Sequence, residues 1–271
     1  MTRELNGLEL QGFIKERQAR QVRNLRQQHK IIPKLLIIMS DTAAASSDTY
    51  VRMKQRYAND ILIEVDVAVL AEDAMAARIA AANNDNAIHG IIVQLPLANT
   101  EITDTVCATI APEKDVDGLG PKSDYCSATA VAIDWLLAGY NIDLPAQRIA
   151  ILGKGRLVGA PLARLWLQRG LTVVSLDEHS KHIPKVLRKS SLVVAATGVP
   201  GVLTAEHIAQ KAIVVDAGSA VENGQLVGDV DASVRARRDV TTTPVKGGVG
   251  PLTVAVLFDH VLQSALKMAL K

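Results

Sequence analysis

Residues 90–97 read Gly-Ile-Ile-Val-Gln-Leu-Pro-Leu, a short apolar run that ends on one polar side chain and a proline. A run of β-branched residues of this kind is typical of a strand that is covered on both faces. Because Pro96 has no N–H to donate to a strand ladder, the strand is expected to end near it. Gln94 is therefore predicted at the carboxyl end of a central strand, where open α/β sheets bind their ligands. The alternative is that Gln94 only caps a loop.

The first half of the chain alternates strand and helix patterns around this run. Such alternation indicates a parallel sheet with right-handed crossovers. Strands are predicted at 35–39, 61–67 and 90–93, and helices at 49–59, 72–83 and 100–110. An acidic turn, Lys114-Asp115-Val116-Asp117-Gly118, lies in the segment 112–121, whose glycines and prolines make it the best candidate for a linker.

The second half repeats this alternation. Strands are predicted at 148–152, 172–176, 192–195 and 213–215, and a helix is predicted to run from the glycine-rich loop after the first of them to about residue 169. A final helix is predicted at 251–270, with Pro251 in its first turn, where a missing N–H costs nothing. The predicted fold class is α/β with two domains, residues 1–118 and 119–271, and the final helix is expected to pack back across both.

Composition limits the classes of function. The chain has 271 residues, 48% of them hydrophobic, and a formal net charge of +2, which fits a globular protein and not a nucleic-acid binder. Its two cysteines, Cys107 and Cys126, have no metal-site or disulfide spacing, which indicates a cytoplasmic, reducing location. No stretch was expected to span a membrane. The basic N-terminal segment is predicted to form an amphipathic surface helix through four apolar side chains: Leu10, Phe13, Ile14 and Leu25.

A glycine-rich segment, Gly153-x-Gly155-x-x-x-Gly159, follows a predicted strand and opens a predicted helix. Glycines in this position permit a tight turn and close approach of the backbone to a pyrophosphate, which the helix N-terminus stabilises. The spacing is one residue longer than in the commonest dinucleotide-binding fingerprint. Three glycines alone are weak evidence for a dinucleotide site. Asp177, at the end of the next strand, strengthens the prediction of a dinucleotide site.

Tyr50 and Lys54 are four residues apart, so a helix places them on one face near the crevice edge of Gln94. A lysine recessed in a crevice loses solvation, which lowers its pKa and frees its amine for proton transfer. The alternative is an exposed Tyr/Lys pair on a solvated face. The Tyr-x-x-x-Lys spacing also occurs in short-chain dehydrogenases, but there the pair follows the glycine loop, whereas here it precedes the loop.

Seven segments in order resemble one family, the bifunctional methylenetetrahydrofolate dehydrogenase/methenyltetrahydrofolate cyclohydrolases. The resemblance covers nearly the whole chain. The segments are Ser47-x-x-Tyr50-x-x-x-Lys54, Gly90–Leu97, Pro112–Gly118, Gly153 to Val158-Gly159-Ala160-Pro161, Val193–Pro200, Gly228-Asp-Val-Asp231 and Thr243-Pro-Val-Lys-Gly-Gly-Val-Gly-Pro-Leu-Thr253.

The resemblance implies a role for each residue of the folate pocket. Lys54 matches the lysine that activates water, and Gln94 matches the glutamine that tunes it. Tyr50 matches the tyrosine that stacks on the folate, and Asp117 the aspartate that holds the pterin. The substrate is also expected to contact Ser47, Gly247, Gly248 and Pro251, the last three in a loop that closes over both ligands. No metal site is expected.

The resemblance also implies a nicotinamide dinucleotide, NADP by family habit. The cofactor is expected to contact Gly153, Lys154, Gly155, Arg156, Gly159, Asp177, Glu178, Thr197 and Gly198. The strand-end carboxylates Asp177 and Glu178 favour NAD, because they suit ribose hydroxyls and repel a 2′-phosphate. Lys154 and Arg156 argue the other way, since either could reach that phosphate. Alternatively, the two carboxylates point away as a solvated turn.

Three departures from the family pattern stand out. Tyr125-Cys126-Ser127-Ala128 replaces Pro-Cys-Thr-Pro, Lys246 replaces a proline, and Lys154-Gly155 replaces Arg-Ser. Lys246 could pair with the glutamate tail of the folate or stand in solvent.

The implied enzyme oxidises methylenetetrahydrofolate and hydrolyses the product, in a crevice between a folate-facing domain and a Rossmann-like domain. It is expected to be a homodimer with no nucleic-acid or membrane partner. The rival hypotheses are a cyclohydrolase that has lost dehydrogenase activity and a non-catalytic folate-binding relative.

Overall fold

The computed structural model describes residues 4–42, 44–222 and 225–270, without the side chains of 44–48, 221–222 and 225–226. The chain separates into two compact units. The first unit comprises Gly12–Ala128 and the residues from Val254 onward. The second unit comprises the residues up to Gln11 and Thr129–Thr253. The predicted two-part α/β fold with parallel sheets is confirmed.

The first unit contains a three-stranded parallel sheet in the order β2-β1-β3. Central strand β1 is almost wholly buried, because its apolar side chains are covered on both faces. The strands are β1 (Lys34–Ser40), β2 (Glu64–Leu70) and β3 (Gly90–Val93), and the helices of this part are α2 (Ala44–Ile61), α3 (Met75–Asn83) and α4 (Thr103–Ala108), with 3₁₀ turns at Glu72–Ala74 and Thr100–Ile102.

The predicted start of β2 at residue 61 is wrong by three residues. Ile61 is the last residue of α2, and Leu62 takes a left-handed conformation with φ 65°. The N–H of Ile63 then donates to the Ala58 carbonyl at 3.0 Å, so the apolar pair at 61 and 63 closes the helix. Both side chains are buried there, which is why the pattern resembled the beginning of a strand.

The second unit contains a five-stranded parallel sheet in the order β10-β7-β6-β4-β5 and a small antiparallel hairpin, β8-β9. Strand β4 lies between β5 and β6, so the strand order reverses there, which is where open sheets bind ligands. The strands are β4 (Ile149–Leu152), β5 (Val173–Leu176), β6 (Leu192–Ala195), β7 (Ile213–Asp216), β8 (Ala220–Glu222), β9 (Gln225–Val227) and β10 (Thr241–Thr242), and the helices are α6 (Gly159–Gln168), α7 (Ile183–Leu187) and α8 (Ala232–Arg235), with a 3₁₀ turn at Ala205–His207.

Helix α1, Gly7–Asn24, continues into a π-helical turn, Leu25–His29. The predicted helix exists, but Phe13 is not part of its buried face, since its side chain is 67% exposed. The buried face instead includes Gln18, whose amide donates to Ala255 O at 2.8 Å and accepts from the Tyr57 hydroxyl at 2.7 Å. A buried polar side chain with good partners replaces the expected apolar one.

Helix α5, Ala128–Gly139, was not predicted. Its sequence is apolar except for Thr129 and Asp134, so it has little amphipathic period to detect. The division of the chain into two units falls within this helix, between Ala128 and Thr129.

Helix α9, Val249–Ala269, begins two residues before the predicted start. Pro251 is its third residue, where the N–H has no intrahelical acceptor in any case. Contrary to the expectation from the sequence, this helix is long and apolar enough to cross a membrane, but 72% of its most apolar window is buried, as in the core helix of a globular protein.

Candidate active site

Lys54 and Gln94 meet in the first unit. The Lys54 Nζ donates to the Gln94 Oε1 at 2.7 Å, and the Gln94 amide nitrogen donates to Leu95 O at 2.9 Å. The second bond fixes which end of the amide faces the lysine. Gln94 directly follows β3, and its N–H donates to Ile38 O at 2.8 Å. The predicted proximity of the two side chains is therefore present, and Gln94 does more than cap a loop.

Burial around Lys54 and Asp117 favours the neutral form of each group. Burial lowers the pKa of the Lys54 amine, although the nearby Asp117 carboxylate opposes this shift. Burial also raises the pKa of Asp117 to about 6, against the attraction of Lys54. An amine and a carboxyl group that both titrate closer to neutrality than usual can exchange protons with a substrate at neutral pH.

The acidic turn that carries Asp117 is rigidly held. The Lys114 Nζ donates to the carbonyls of Ala82, Asn83 and Asp85 at 2.9, 2.9 and 2.7 Å, which ties the turn to the end of α3. The Lys114 carbonyl accepts from the N–H of Ile91 at 2.7 Å. The segment 112–121, proposed as a linker from its composition, is therefore packed within the first unit.

Helix α9 also holds this turn. The His260 Nδ1 lies 2.8 Å from Val116 O, and the Ser264 hydroxyl donates to Glu113 O at 2.9 Å. The His260 ring stacks on Tyr125, with ring centroids 4.7 Å apart. Tyr125, which departs from the family pattern, thus supports the residue next to Asp117.

Tyr50 lies one turn before Lys54 in α2 and is partly exposed. The side chain of Ser47 lies outside the described residues, so its predicted contact with substrate stays a prediction.

The glycine loop follows β4 as predicted. Gly153 has φ 107°, and a Cβ there would lie 2.2 Å from Ala196 O; a Cβ on Gly159 would lie 2.0 Å from Gly153 O. Only glycine fits at these two positions. Gly155 has open space around it, and within the described part of the chain the N–H groups of Lys154 and Gly155 have no partner. Two free backbone donors suit a phosphate group.

The structure pairs Lys154 with Asp177. Their charged groups are 2.7 Å apart, and the Ser180 hydroxyl donates to the same carboxylate at 2.7 Å. The Lys154 and Ser180 hydrogen bonds lower the pKa of Asp177 to about 2, so its carboxylate is ionised at neutral pH. Glu178 is exposed, with His179 3.7 Å away, and Arg156 is also exposed.

The glycine turn at Gly247 and Gly248 rests on N-terminal residues that the sequence did not point to. The Leu8 N–H donates to Gly247 O at 3.0 Å, and a Cβ on Gly7 would lie 2.0 Å from Gly248 O. The Gln11 amide donates to Pro251 O at 2.6 Å. Lys246 is exposed, in line with its solvent alternative.

Among the residues that the structure describes, no group of three or more His, Cys, Asp or Glu side chains could hold a metal ion.

Comparison with known proteins identifies the family to which the two parts of the chain are similar. Family models described as tetrahydrofolate dehydrogenase/cyclohydrolase, catalytic domain and NAD(P)-binding domain, match residues 5–117 and 127–269. The chain is 34% identical over 281 aligned positions to the bifunctional protein FolD of Streptococcus pyogenes, covering 98% of this chain and 99% of that protein.

Solved structures are similar as well. The bifunctional enzyme FolD from Campylobacter jejuni is 31% identical, with a TM-score of 0.91 over 98% of this chain and 99% of its own. The FolD of Trypanosoma brucei, solved with NADP and an inhibitor, is 28% identical, with a TM-score of 0.89 over 98% of both chains.

Proposed function

The chain belongs to the tetrahydrofolate dehydrogenase/cyclohydrolase family, and we propose that the Lys54–Gln94 pair beside Asp117 is the centre of its folate site. The enzyme oxidises methylenetetrahydrofolate to the methenyl form with a nicotinamide dinucleotide and hydrolyses that product to formyltetrahydrofolate. The observation that carries the proposal is the 2.7 Å contact between an amine with a lowered pKa and an oriented amide oxygen.

For the hydrolysis, Lys54 acts on water. The methenyl carbon is cationic, so water adds to it when a base removes a proton, and cleavage of one carbon–nitrogen bond then leaves the formyl group. Because Gln94 accepts one hydrogen of the Lys54 amine, it fixes the direction of the remaining hydrogens and of the lone pair that the neutral amine carries. General acid–base residues of this kind contribute roughly 10²–10⁴-fold to a rate.

For the oxidation, the chain supplies position and not a proton. A nicotinamide dinucleotide held at this loop would supply the acceptor for a hydride from the methylene carbon, and direct hydride transfer would need no acid or base at that carbon. The loop at Gly153 and Gly159 fits a dinucleotide, because both glycines are required by close packing and free N–H groups follow at Lys154 and Gly155. Holding two rings in register can supply most of such a rate enhancement.

The remaining roles in the folate site are proposals from matched motifs. Asp117 accepts hydrogen bonds from the amide-like edge of the pterin, and the ring of Tyr50 stacks on the folate. Ser47, Gly247, Gly248 and Pro251 complete the substrate contacts. We assign the folate-facing domain to residues 1–118 and the dinucleotide domain to 119–271, which the family models at 5–117 and 127–269 support, although the compact units divide the chain after Gln11, Ala128 and Thr253.

We further propose that this chain uses NAD at least as well as NADP. The Asp177 carboxylate stands at the end of β5, is ionised, and retains lone pairs for ribose hydroxyls. Lys154 favours NADP instead, because it neutralises Asp177 and could bind a 2′-phosphate. The remaining cofactor contacts are assigned to Gly155, Arg156, Glu178, Thr197 and Gly198.

We place the enzyme in the cytoplasm as a homodimer. Within the described residues neither cysteine forms a disulfide, which suits a reducing compartment, and the dimer is proposed from family habit. Light scattering of the purified chain checks the dimer.

The decisive experiment assays the two steps separately with Lys54→Met, which keeps the stem of the side chain and removes the amine. Hydrolysis of the methenyl substrate should fall at least 10²-fold, as expected for loss of a general base, while folate still binds. Arg56→Met, an exposed position on the same helix, is the control. Normal hydrolysis by Lys54→Met contradicts the proposal; hydrolysis without oxidation by the wild type favours the single-activity alternative.

A further inference from the structure

The Gly228-Asp229 motif has no part in the site described so far, yet Asp229 is completely buried in the second unit. Its Oδ2 accepts from the Thr197 N–H at 2.5 Å, the Thr197 hydroxyl at 2.8 Å and the Gly198 N–H at 3.2 Å. One carboxylate oxygen thus collects three donors from the turn that follows β6, and both of those residues are assigned to the cofactor.

That turn lies beside the glycine loop. A Cβ on Gly153 would lie 2.2 Å from Ala196 O and 3.0 Å from the Thr197 nitrogen. Gly198 has φ 73° and open space around it, so the turn has room for a ligand. Any ligand on the glycine loop therefore also meets the turn.

Every hydrogen-bond donor of the turn is already paired with an acceptor of the protein. Besides the three groups on Asp229, the Val199 N–H donates to the Thr197 Oγ1 at 3.1 Å, and residue 200 is a proline with no N–H. The Gly201 N–H donates to Gly228 O at 3.1 Å. Residues 197–201 therefore present only acceptors to a ligand, whereas the glycine loop presents free donors.

Asp229 is itself fixed in place. Its N–H donates to the Asp216 Oδ1 at 3.0 Å, and its carbonyl accepts from the Leu203 N–H at 2.9 Å. A Cβ on Gly218 would lie 2.0 Å from the Asp229 Oδ1, and no donor within the described part of the chain reaches that oxygen. Burying an oxygen without a donor is unfavourable, so this arrangement is not optimised for stability alone.

We propose that Asp229 is a positioning residue that turns residues 197–201 into an acceptor-only surface for the hydroxyl-rich and amide-bearing ribose–nicotinamide part of the dinucleotide. Phosphate groups, which need donors, are left to the glycine loop. The two loops thereby set the direction in which the dinucleotide lies. This inference rests on the proposed function and deepens it.

The test is Asp229→Ala, with dinucleotide affinity measured by calorimetry and inorganic pyrophosphate as a competitor. Loss of a charged acceptor should raise the dissociation constant of the dinucleotide about tenfold or more. Pyrophosphate should bind as well as before or better, because the freed N–H groups of the turn can now donate to it. Cyclohydrolase activity, which uses no dinucleotide, should stay unchanged.

Two variants keep the test decisive. Asp229→Asn keeps one oxygen for the turn and should weaken dinucleotide binding by about fivefold, so it replaces the alanine variant if that one does not fold. Asp231→Ala is the matched control, since its carboxylate lies near Gly201 but accepts its hydrogen bond from the Ser233 N–H of α8 and not from the turn. Affinity within threefold of the wild type in both Asp229 variants overturns the inference, as does an equal loss of pyrophosphate binding. A wild type that binds neither NAD nor NADP contradicts the proposed function itself.

Discussion

At the scale of single residues, the pKa of Asp117 predicts how stability depends on pH. Its folded pKa of about 6 is above the ordinary value of 3.8. The stability that its protonated form contributes is therefore present in full below about pH 3.8 and is lost as pH rises through about 6. Asp117→Asn, which stays neutral, should raise the melting temperature by roughly 2–5 °C at pH 8, by about half as much at about pH 5, and hardly at all at about pH 3.5.

Asp73→Asn is the control for this measurement, because Asp73 is exposed in the 3₁₀ turn Glu72–Ala74, away from Lys54 and Asp117 in sequence. A melting-temperature difference for Asp117→Asn that does not grow with pH would show that the carboxyl group ionises in the folded state without cost.

The cofactor preference also depends on single residues. Replacing both strand-end carboxylates, in Asp177→Ser with Glu178→Ser, removes the acceptors for ribose hydroxyls and frees Lys154 from its ion pair. The ratio of kcat/KM for NAD over NADP should fall at least tenfold, since a released cation then faces the 2′-phosphate. Glu178→Ser alone should lower the ratio less, because Lys154 then stays paired with Asp177. A strong NADP preference in the unmodified enzyme would contradict the assignment.

At the scale of secondary-structure elements, helix α9 supports the acidic turn that carries Asp117. The His260 ring lies within hydrogen-bond distance of the carbonyl of Val116, the residue directly before Asp117. The same ring stacks on Tyr125. His260→Ala should raise the KM for folate substrates in both steps several-fold, as expected when one hydrogen bond and one ring contact are lost. The dissociation constant of the dinucleotide should not change.

Lys267→Ala tests whether any change in α9 has this effect. Lys267 is exposed and lies over the Tyr125 ring at 5.0 Å, but it bonds Asp124 and not the acidic turn. A KM shift as large as that of His260→Ala would mean that α9 acts through general stability and not through Val116.

Elements with a clear period or a local motif could be predicted from the sequence. The buried strand at Gly90–Val93 and the glycine loop were found because neighbouring residues encode them. Helix α5 was missed because it is almost wholly apolar, and the buried Gln18 in α1 was missed because its partners are at Tyr57 and Ala255. The same limit applies to the site: no local spacing marks His260, and although Asp229 lies in a quoted segment, its partners Thr197 and Gly198 are far away in sequence.

At the scale of the whole molecule, the two reactions share one folate and therefore one set of folate contacts. In the roles proposed above, Asp117 belongs to that shared set, Lys54 serves hydrolysis and Asp229 serves the dinucleotide. Lys54→Met and Asp229→Ala should consequently damage different activities. Folate-contact variants should damage both.

Asp117→Ala separates this view from one in which each activity has its own substrate site. Without the carboxylate, donors on the bound pterin lose their partner, at a cost of about 1–3 kcal/mol for each group left unpaired. The kcat/KM values of oxidation and hydrolysis should fall by the same factor, about fivefold to 150-fold, while calorimetry shows weaker folate binding and unchanged dinucleotide binding. If only one activity falls, the two steps do not use Asp117 in common, and if folate binding is unchanged, the acidic turn is structural only.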